Sequence, residues 1–577
     1  MRRVRGAGRA LLALTGIGLV AIVATGGAGA ARGNDQLQKI NHIVVIYEEN
    51  HSFDNLYGGW EGVNGLANAA AQPAHTTQVD QNGVPYSCLF QVDVNLTSPP
   101  LSTVCSSTTP RGVAFNSHFL NAPFTIGDYI PPDATTCPKP KDSFAFPNGI
   151  RNGSRDAQGN LIGLPGGCTR DIVHKFYQEQ YQLNGGAQNR YVTGSDAAGL
   201  VMGVYDTKTL PIYQYLHAEG HPHYAIADNF FQAAFGGSFL NHQWLIAART
   251  PVYPNAPAGI HSLVDSAGFP RNNYPLYAPL PGATYRDSDL TVTCDSPVKP
   301  GGACGDYAVN TMQPTNEPWG AFGDKLPVQN ALTIGDELST AQVSWGWYAG
   351  GWDNAAGNTT GPGWTNGPGP TCSDPNHDTN AVYHYPKCPD FAFQFHHQPF
   401  TYFANYAPGT AGRTHLRDEV AFENAAQSST SQCNLDQVSF IKPIGEENEH
   451  PGYASEPTGS THLIELLNLI RNSACAKDTM VVVTYDEFGG QWDHVSPPGQ
   501  GGTPGPHDLS GPGTRIPALI LGSKLEGQFV VDHTQYDTTS ILALLEERYN
   551  LPSLGTRDAA VNSLSDVFAA KQYEAGK

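Results

Sequence analysis

The stretch IYEENHSFDN at 46–55 follows directly on the apolar run Ile43-Val44-Val45. A short β-rich run that ends in a burst of polar groups marks the carboxyl end of a central strand, the place where open α/β sheets bind ligands. The same pattern recurs in MVVVTYDEFGGQWDHVSPP at 480–498, where an apolar run ends in Asp486-Glu487, then glycines, then Asp493-His494. Set side by side in one sheet, Glu49, Asn50, Asp486 and Glu487 would form a cluster that cannot stay ionised without a cation. Hard oxygen donors of this kind suit one divalent ion from the group Ca, Mg, Mn and Fe, or Zn where histidines join. A structural calcium site and a catalytic cation both fit this pattern.

A third stretch, DNFFQAAFGGSFLNHQWLIAA at 228–248, places Ser238 after a glycine turn and at the start of a helix. The free N–H groups and positive dipole of a helix N-terminus favour a serine alkoxide and a bound phosphate. Asn241, three residues on, would donate to a phosphate oxygen. The alternative is that Ser238 only caps the helix. His174 in DIVHKFYQEQ, His396 and His397 in FQFHHQPF, and His450 in GEENEHPGY lie among aromatics and acids. Each could hold a phosphate oxygen, bind metal, protonate a leaving group, or simply be structural.

Missing motifs narrow the chemistry. No G-x-S-x-G elbow surrounds a serine, no G-x-x-x-x-G-K-[ST] loop occurs, and H-E-x-x-H is absent. The C/S-x-P-x-R run of a sulfatase nucleophile is absent too.

The elements that must position these groups are strands HIVVIY (42–47), HYAIADNFF (223–231), TMVVVTYDE (479–487) and IPALILG (516–522). Continuous apolar runs suit a sheet covered on both faces. Helices are expected at 210–220, with Pro211 in the first turn and Gly220 as stop; at 460–473, opened by a hydroxyl cap; and at 537–552, capped by Asp537 or a neighbouring threonine. Strands alternating with amphipathic helices predict an α/β fold. The rhythm breaks over about 60–165 and 250–395, which are rich in Gly, Pro, Asn and Cys and read as disulfide-tied irregular insertions.

The 577 residues carry a formal net charge of -20, which argues against nucleic acid as a partner and requires a local reversal of field for any anionic substrate. Arg2, Arg3, Arg5 and Arg9, the apolar run ALLALTGIGLVAIVA (10–24) and AGA at 28–30 read as a signal peptide over 1–30. The run is short for a span of about 20 residues, so no stable membrane insertion is expected, although an uncleaved anchor also fits. The Arg2-Arg3 pair raises twin-arginine export as an alternative to the general route. The mature chain, 31–577, is then secreted or periplasmic. Ten cysteines outside any CxxC zinc spacing suit disulfides in that compartment. Sequential pairing would be Cys88–Cys105, Cys137–Cys168, Cys294–Cys304, Cys372–Cys388 and Cys433–Cys475.

EENHSFDNLYG (48–58) resembles the E-N-x-S-F-D signature of the bacterial phosphoesterase family of phospholipases C and exported acid phosphatases. The resemblance continues in order through DIVHKFYQEQYQLNGG, FGGSFLNHQW, EENEHPGYAS, VTYDEFGGQWDHV and HTQYDTTSILALLEERYNLP. It implies an alkaline-phosphatase-like α/β fold with a central sheet flanked by helices, and a metal held by Glu49, Asn50, Asp486 and Glu487. Ser238 would be the nucleophile, passing through a phosphoseryl intermediate. His174, Asn241, His396, His397 and His450 would contact the phosphoryl group or assist the leaving group. FGGSFLNH is closer to the acid phosphatase branch than the T-x-P-N-R-like block of the phospholipases, so the expected substrate is a small phosphate monoester. A phospholipid headgroup is the alternative, and a secreted binder without turnover a second one. The large insertion between Asn50 and His174 departs from the family pattern.

Overall fold

A computed structural model describes residues 35–89, 103–108, 114–128, 171–195, 197–257, 307–319, 324–365, 393–445, 447–451 and 456–574, together with the backbone of the short strands Arg151–Arg155, Leu161–Gly163, Thr371–Cys372 and Tyr383–His384. The expected signal peptide, and the pairs Cys137–Cys168, Cys294–Cys304 and Cys372–Cys388, fall outside what is described. Cys88–Cys105 and Cys433–Cys475 are bonded as expected.

The centre is an eight-stranded sheet built from β1 (His42–Glu48), β2 (Tyr224–Ala227), β3 (Trp345–Ala349), β4 (Leu416–Asp418), β5 (Val438–Lys442), β6 (Thr479–Tyr485), β7 (Ala518–Leu521) and β8 (Phe529–Asp532). The spatial order is β4-β3-β5-β1-β6-β7-β2-β8, with β7 antiparallel to both neighbours and the other pairings parallel. In β1, Ile43, Val44, Val45 and Ile46 are wholly buried, and β6 is buried along its length. These are the all-apolar strands that a doubly covered sheet requires. Each such side chain contributes roughly 1.5–3 kcal/mol on burial.

Among the flanking helices are α1 (Phe53–Leu56), α2 (Phe176–Leu183), α3 (Pro211–His217), α4 (Ser238–Ala247), α5 (Glu419–Ser428), α6 (Glu456–Arg471) and α7 (Thr539–Tyr549). Helix α4 packs on α7, and α6 packs on α3 and α5. This is the α/β architecture expected from the strand and helix patterns.

Three local expectations change. The hydroxyl Ser460 does not cap α6: it lies inside the helix, where its Oγ accepts the Ile212 N–H that Pro211 leaves at the start of α3 (2.9 Å). Strand HYAIADNFF is two pieces, β2 and the pair Phe230–Phe231, which joins Tyr536–Asp537 instead of the main sheet. Strand β3 lies within 250–395, the stretch read as an insertion, yet it pairs with both β4 and β5. Asp537 does cap α7, its Oδ1 accepting from Thr539 N at 2.7 Å, and Asn550 ends the helix at φ +52°.

Candidate active site

Strand register brings the two acidic stretches together. Parallel pairing sets Glu48 opposite Tyr485, so Glu49-Asn50 and Asp486-Glu487 leave the sheet side by side. The backbone N–H of Asn50 donates to Asp486 Oδ1 at 3.3 Å. Asn50 stands at φ +58°, a left-handed conformation that asparagine tolerates better than most residues. Its amide orientation is fixed by donation from Nδ2 to His450 Nε2 at 2.8 Å, which leaves Oδ1 facing Ser238.

Ser238 arrives from the other direction. The chain leaves β2, turns through Gly236 at φ +88°, and begins α4 at Ser238 with Gly237 in the cap position. Only glycine fits at 236: an added Cβ would come within 2.7 Å of the Phe176 nitrogen. Ser238 is therefore the first helical residue and not a cap. Its Oγ lies 3.1 Å from Glu49 Oε2, 3.3 Å from Asn50 Oδ1 and 3.4 Å from Glu487 Oε1.

One hydroxyl proton cannot serve three acceptors. The arrangement also contains Asp486 Oδ2, a buried oxygen with no hydrogen-bond partner among the described residues and with His242 Nδ1 3.8 Å away. Burial, with repulsion from Glu49, pushes the Asp486 carboxyl well above the ordinary range; burial and Asp486 do the same to Glu487. Converging anionic oxygens, one of them orphaned, are a donor set suited to a hard divalent cation.

Glu49 is treated differently by its surroundings. Burial opposes its charge, but His397 and Lys442 outweigh that and hold its carboxyl well below the ordinary range. Lys442, at the end of β5, places Nζ 2.5 Å from Glu49 Oε1 and donates to the carbonyls of Tyr47 (2.9 Å) and Glu48 (3.2 Å). His397 Nε2 is 2.8 Å from the same carboxylate oxygen. Glu49 thus gives one oxygen to fixed partners and turns the other toward Ser238.

The remaining expected residues divide. His174 Nε2 lies 3.4 Å from Glu487 Oε1, and its side chain is 19% exposed, so it stands at the open side of the cluster. His450 donates from Nδ1 to the Pro451 carbonyl (2.8 Å) and supports Asn50; burial lowers its pKa. His396 sits one step out, its ring 4.5 Å from that of His397. Asn241 corrects the sequence reading. Instead of facing a phosphate, it is wholly buried, accepts from Ala234 N (2.9 Å), and donates to the carbonyls of Ala234, Gly236 and Gly237 (3.1–3.3 Å). It holds the turn that leads into Ser238.

Sequence reasoning missed Lys442, His242 and Glu179. His242 lies one turn after Ser238, its Nδ1 2.8 Å from the Ser238 carbonyl and its ring stacked 5.0 Å from His397. That four-residue spacing from the serine was its only signal. With Glu49 and His397 it forms a group close enough to share an ion, among the described residues, although Lys442 already occupies Glu49 Oε1. Glu179 is a buried carboxylate that accepts from Gly236 N at 2.5 Å.

A second acidic group, Glu419, Glu447 and His462, is internally paired. His462 Nε2 lies 2.8 Å from Glu419 and 3.7 Å from Glu447. Among the described residues no helix is long and apolar enough to cross a membrane.

Phospholipase C A of Mycobacterium tuberculosis is 23% identical over 571 residues, covering 94% of this chain and 79% of its own length. Phospholipase C B of the same organism is 31% identical over 158 residues, covering 23% of this chain and 29% of that protein. Non-specific phospholipase C6 of Arabidopsis thaliana is 29% identical over 146 residues, covering 22% of this chain and 28% of its own. In the alignments to phospholipases C B and C6 the chain spans less than a third of the relative. The phosphoesterase family model matches residues 40–145 and 147–552, a range that includes both acidic strand ends and the Ser238 turn. The chain belongs to the phosphoesterase family.

Proposed function

We propose that this chain is an exported phosphomonoesterase of the acid phosphatase type, with Ser238 as nucleophile. The observation that carries the reading is the convergence of Glu49, Asn50 and Glu487 oxygens on one serine hydroxyl at a helix start. A divalent cation held by Glu49, Asn50, Asp486 and Glu487 would neutralise phosphate charge and lower the serine pKa.

Ser238 Oγ attacks phosphorus as its proton passes to a neighbouring carboxylate, and the ester P–O bond breaks. His174, on the open side, protonates the departing oxygen. Water, giving a proton to His174, then attacks the phosphoseryl group, the P–Oγ bond breaks, and phosphate leaves as the carboxylate returns the proton to serine. The α4 N-terminus lends its dipole to the transferring group. His397 and Lys442 keep the Glu49 carboxylate oriented, while His396 and His397 bound the substrate side. Residues 1–30 direct export, and 31–577 form one catalytic domain with insertions.

A second reading, a phospholipase C-type phosphodiesterase, is favoured by the phospholipases C among the relatives, one aligned over 94% of this chain. The experiment is steady-state hydrolysis of an aryl phosphate monoester beside a choline phosphodiester, with metal content measured on the purified protein. Preference for the monoester supports the first reading. Cleavage of the diester alone transfers the assignment to the second, and turnover of neither leaves a non-catalytic binder.

A further inference from the structure

Behind the candidate site lies a guanidinium that the catalytic reading does not use. Arg515 is wholly buried. Its Nε donates to Asp493 at 3.2 Å, and Nη2 donates to Asp493 and to Asp54 Oδ1, both at 3.1 Å. Nη1 donates to the carbonyls of Asn64 (2.6 Å) and Asp228 (2.7 Å). The guanidinium carbon lies 4.3 Å from the centre of the Phe53 ring. His494 Nδ1 is 2.5 Å from Asp54 Oδ2, and the Asp54 N–H donates to Asp493 at 3.0 Å. Asp54, Asp493 and His494 are close enough to hold an ion, but the guanidinium already supplies the positive charge there.

The partners sit on three loops that build the site. Asp54 follows Asn50 by four residues, Asp493 follows Glu487 by six, and Asp228 is the first residue after β2, on the way to Ser238. The neighbouring residue completes the connection. Thr514, also wholly buried, donates from N (2.7 Å) and Oγ1 (2.8 Å) to Glu179 Oε1. The other oxygen of Glu179 accepts from Gly236 N, two residues before Ser238.

We propose that Thr514 and Arg515 are positioning residues. Arg515 registers the Glu49-Asn50 loop against the Asp486-Glu487 loop, and Thr514, through Glu179, registers the Ser238 turn against both. The inference rests on the metal-and-serine reading above. Arg515 acts through the loops that carry the ligands and not on the ligands themselves; loss of groups that set ligand orientation typically weakens metal affinity by roughly 10–100-fold. Lysine cannot replace arginine here, because one ammonium cannot span acceptors spread around a planar fork.

The test uses full-length mature protein stripped by chelator: wild type, Arg515→Lys, Thr514→Ala and Thr514→Ser. Mn2+ affinity is measured by calorimetry, kcat and KM on an aryl phosphate, and folding by near-UV circular dichroism. Arg515→Lys should weaken Mn2+ binding by at least roughly 10-fold. Thr514→Ala should lower kcat by roughly 100-fold through misplacement of the serine, with Mn2+ affinity within twofold of wild type, and Thr514→Ser should restore kcat. Folded variants with unchanged affinity and kcat would overturn the proposal, as would parallel losses of both in the two variants. Should Arg515→Lys fail to fold, Asp54→Asn replaces it with the same expected loss of affinity. A wild type that binds Mn2+ but turns over no phosphoester would overturn the functional reading, while the calorimetric arm still decides the clamp. A wild type that binds neither Mn2+ nor any of Ca2+, Mg2+, Fe2+ and Zn2+ would overturn both.

Discussion

Ser238 Oγ lies 3.1 Å from Glu49 Oε2, although 189 residues separate them in the chain. The serine proton therefore has a buried carboxylate within reach, and on the proposed reading a methyl group cannot replace the hydroxyl. Ser238→Ala should lower kcat on an aryl phosphate by at least roughly 10³-fold and leave the thermal midpoint nearly unchanged. A variant with wild-type turnover would sink the nucleophile assignment.

Removing the cation should be visible without any substrate. Asp486 and Glu487 are buried beside Glu49, and each is pushed toward its neutral form by burial and by a neighbouring acid. A ligand that binds only the folded state adds about 2.7 kcal/mol at 100 times its Kd. Chelation should lower the melting temperature accordingly, and re-addition of Ca, Mg, Mn, Fe or Zn one at a time should restore it to different degrees. A melting curve indifferent to chelator and to every ion would remove the metal from the reading.

Lys442 is 1% exposed and ion-paired with the buried Glu49. Breaking such a pair on one side leaves an uncompensated charge, at a cost of about 3–5 kcal/mol. Lys442→Met should show that loss in urea unfolding, together with weaker activity. A loss below about 1 kcal/mol, the range of exposed pairs, would mean that Glu49 finds its compensation elsewhere.

His462 provides a pH test remote from the candidate site. Burial opposes its charge, but the carboxylates of Glu419 and Glu447 raise its pKa to about 10, against about 6.5 in an unfolded chain. The folded state thus binds the proton more tightly. Its stabilisation is fully present below about pH 6.5 and is lost as pH rises through about 10. The stability difference between wild type and His462→Gln should be large near pH 6 and vanish above pH 10. A difference independent of pH would show that packing, not charge, carries the effect.

What the chain shows locally and what folding adds separate cleanly here. Residues 43–46 and 480–483 are unbroken apolar runs, so β1 and β6 and the carboxylates that follow them are legible without coordinates. Pro211, Asn550 and the glycines around Ser238 mark helix limits by their own backbone preferences. The strands that escaped notice lack such signals: β3 reads WGWYA, β4 is three residues long, β5 mixes Ser and Lys into VSFIK, and β8 is the short FVVD. Their identity comes from neighbours in the sheet.

The same division runs through the site. Sequence alone determined which polar groups follow which strand, because that is a property of adjacent residues. Only the tertiary structure decided that Lys442 faces Glu49, that Asn241 serves its own turn and not a phosphate, and that Thr514 and Arg515 join three loops. Those contacts depend on the register of parallel strands and on burial, which turn isolated polar residues into partners across hundreds of positions and leave no periodic trace in the chain.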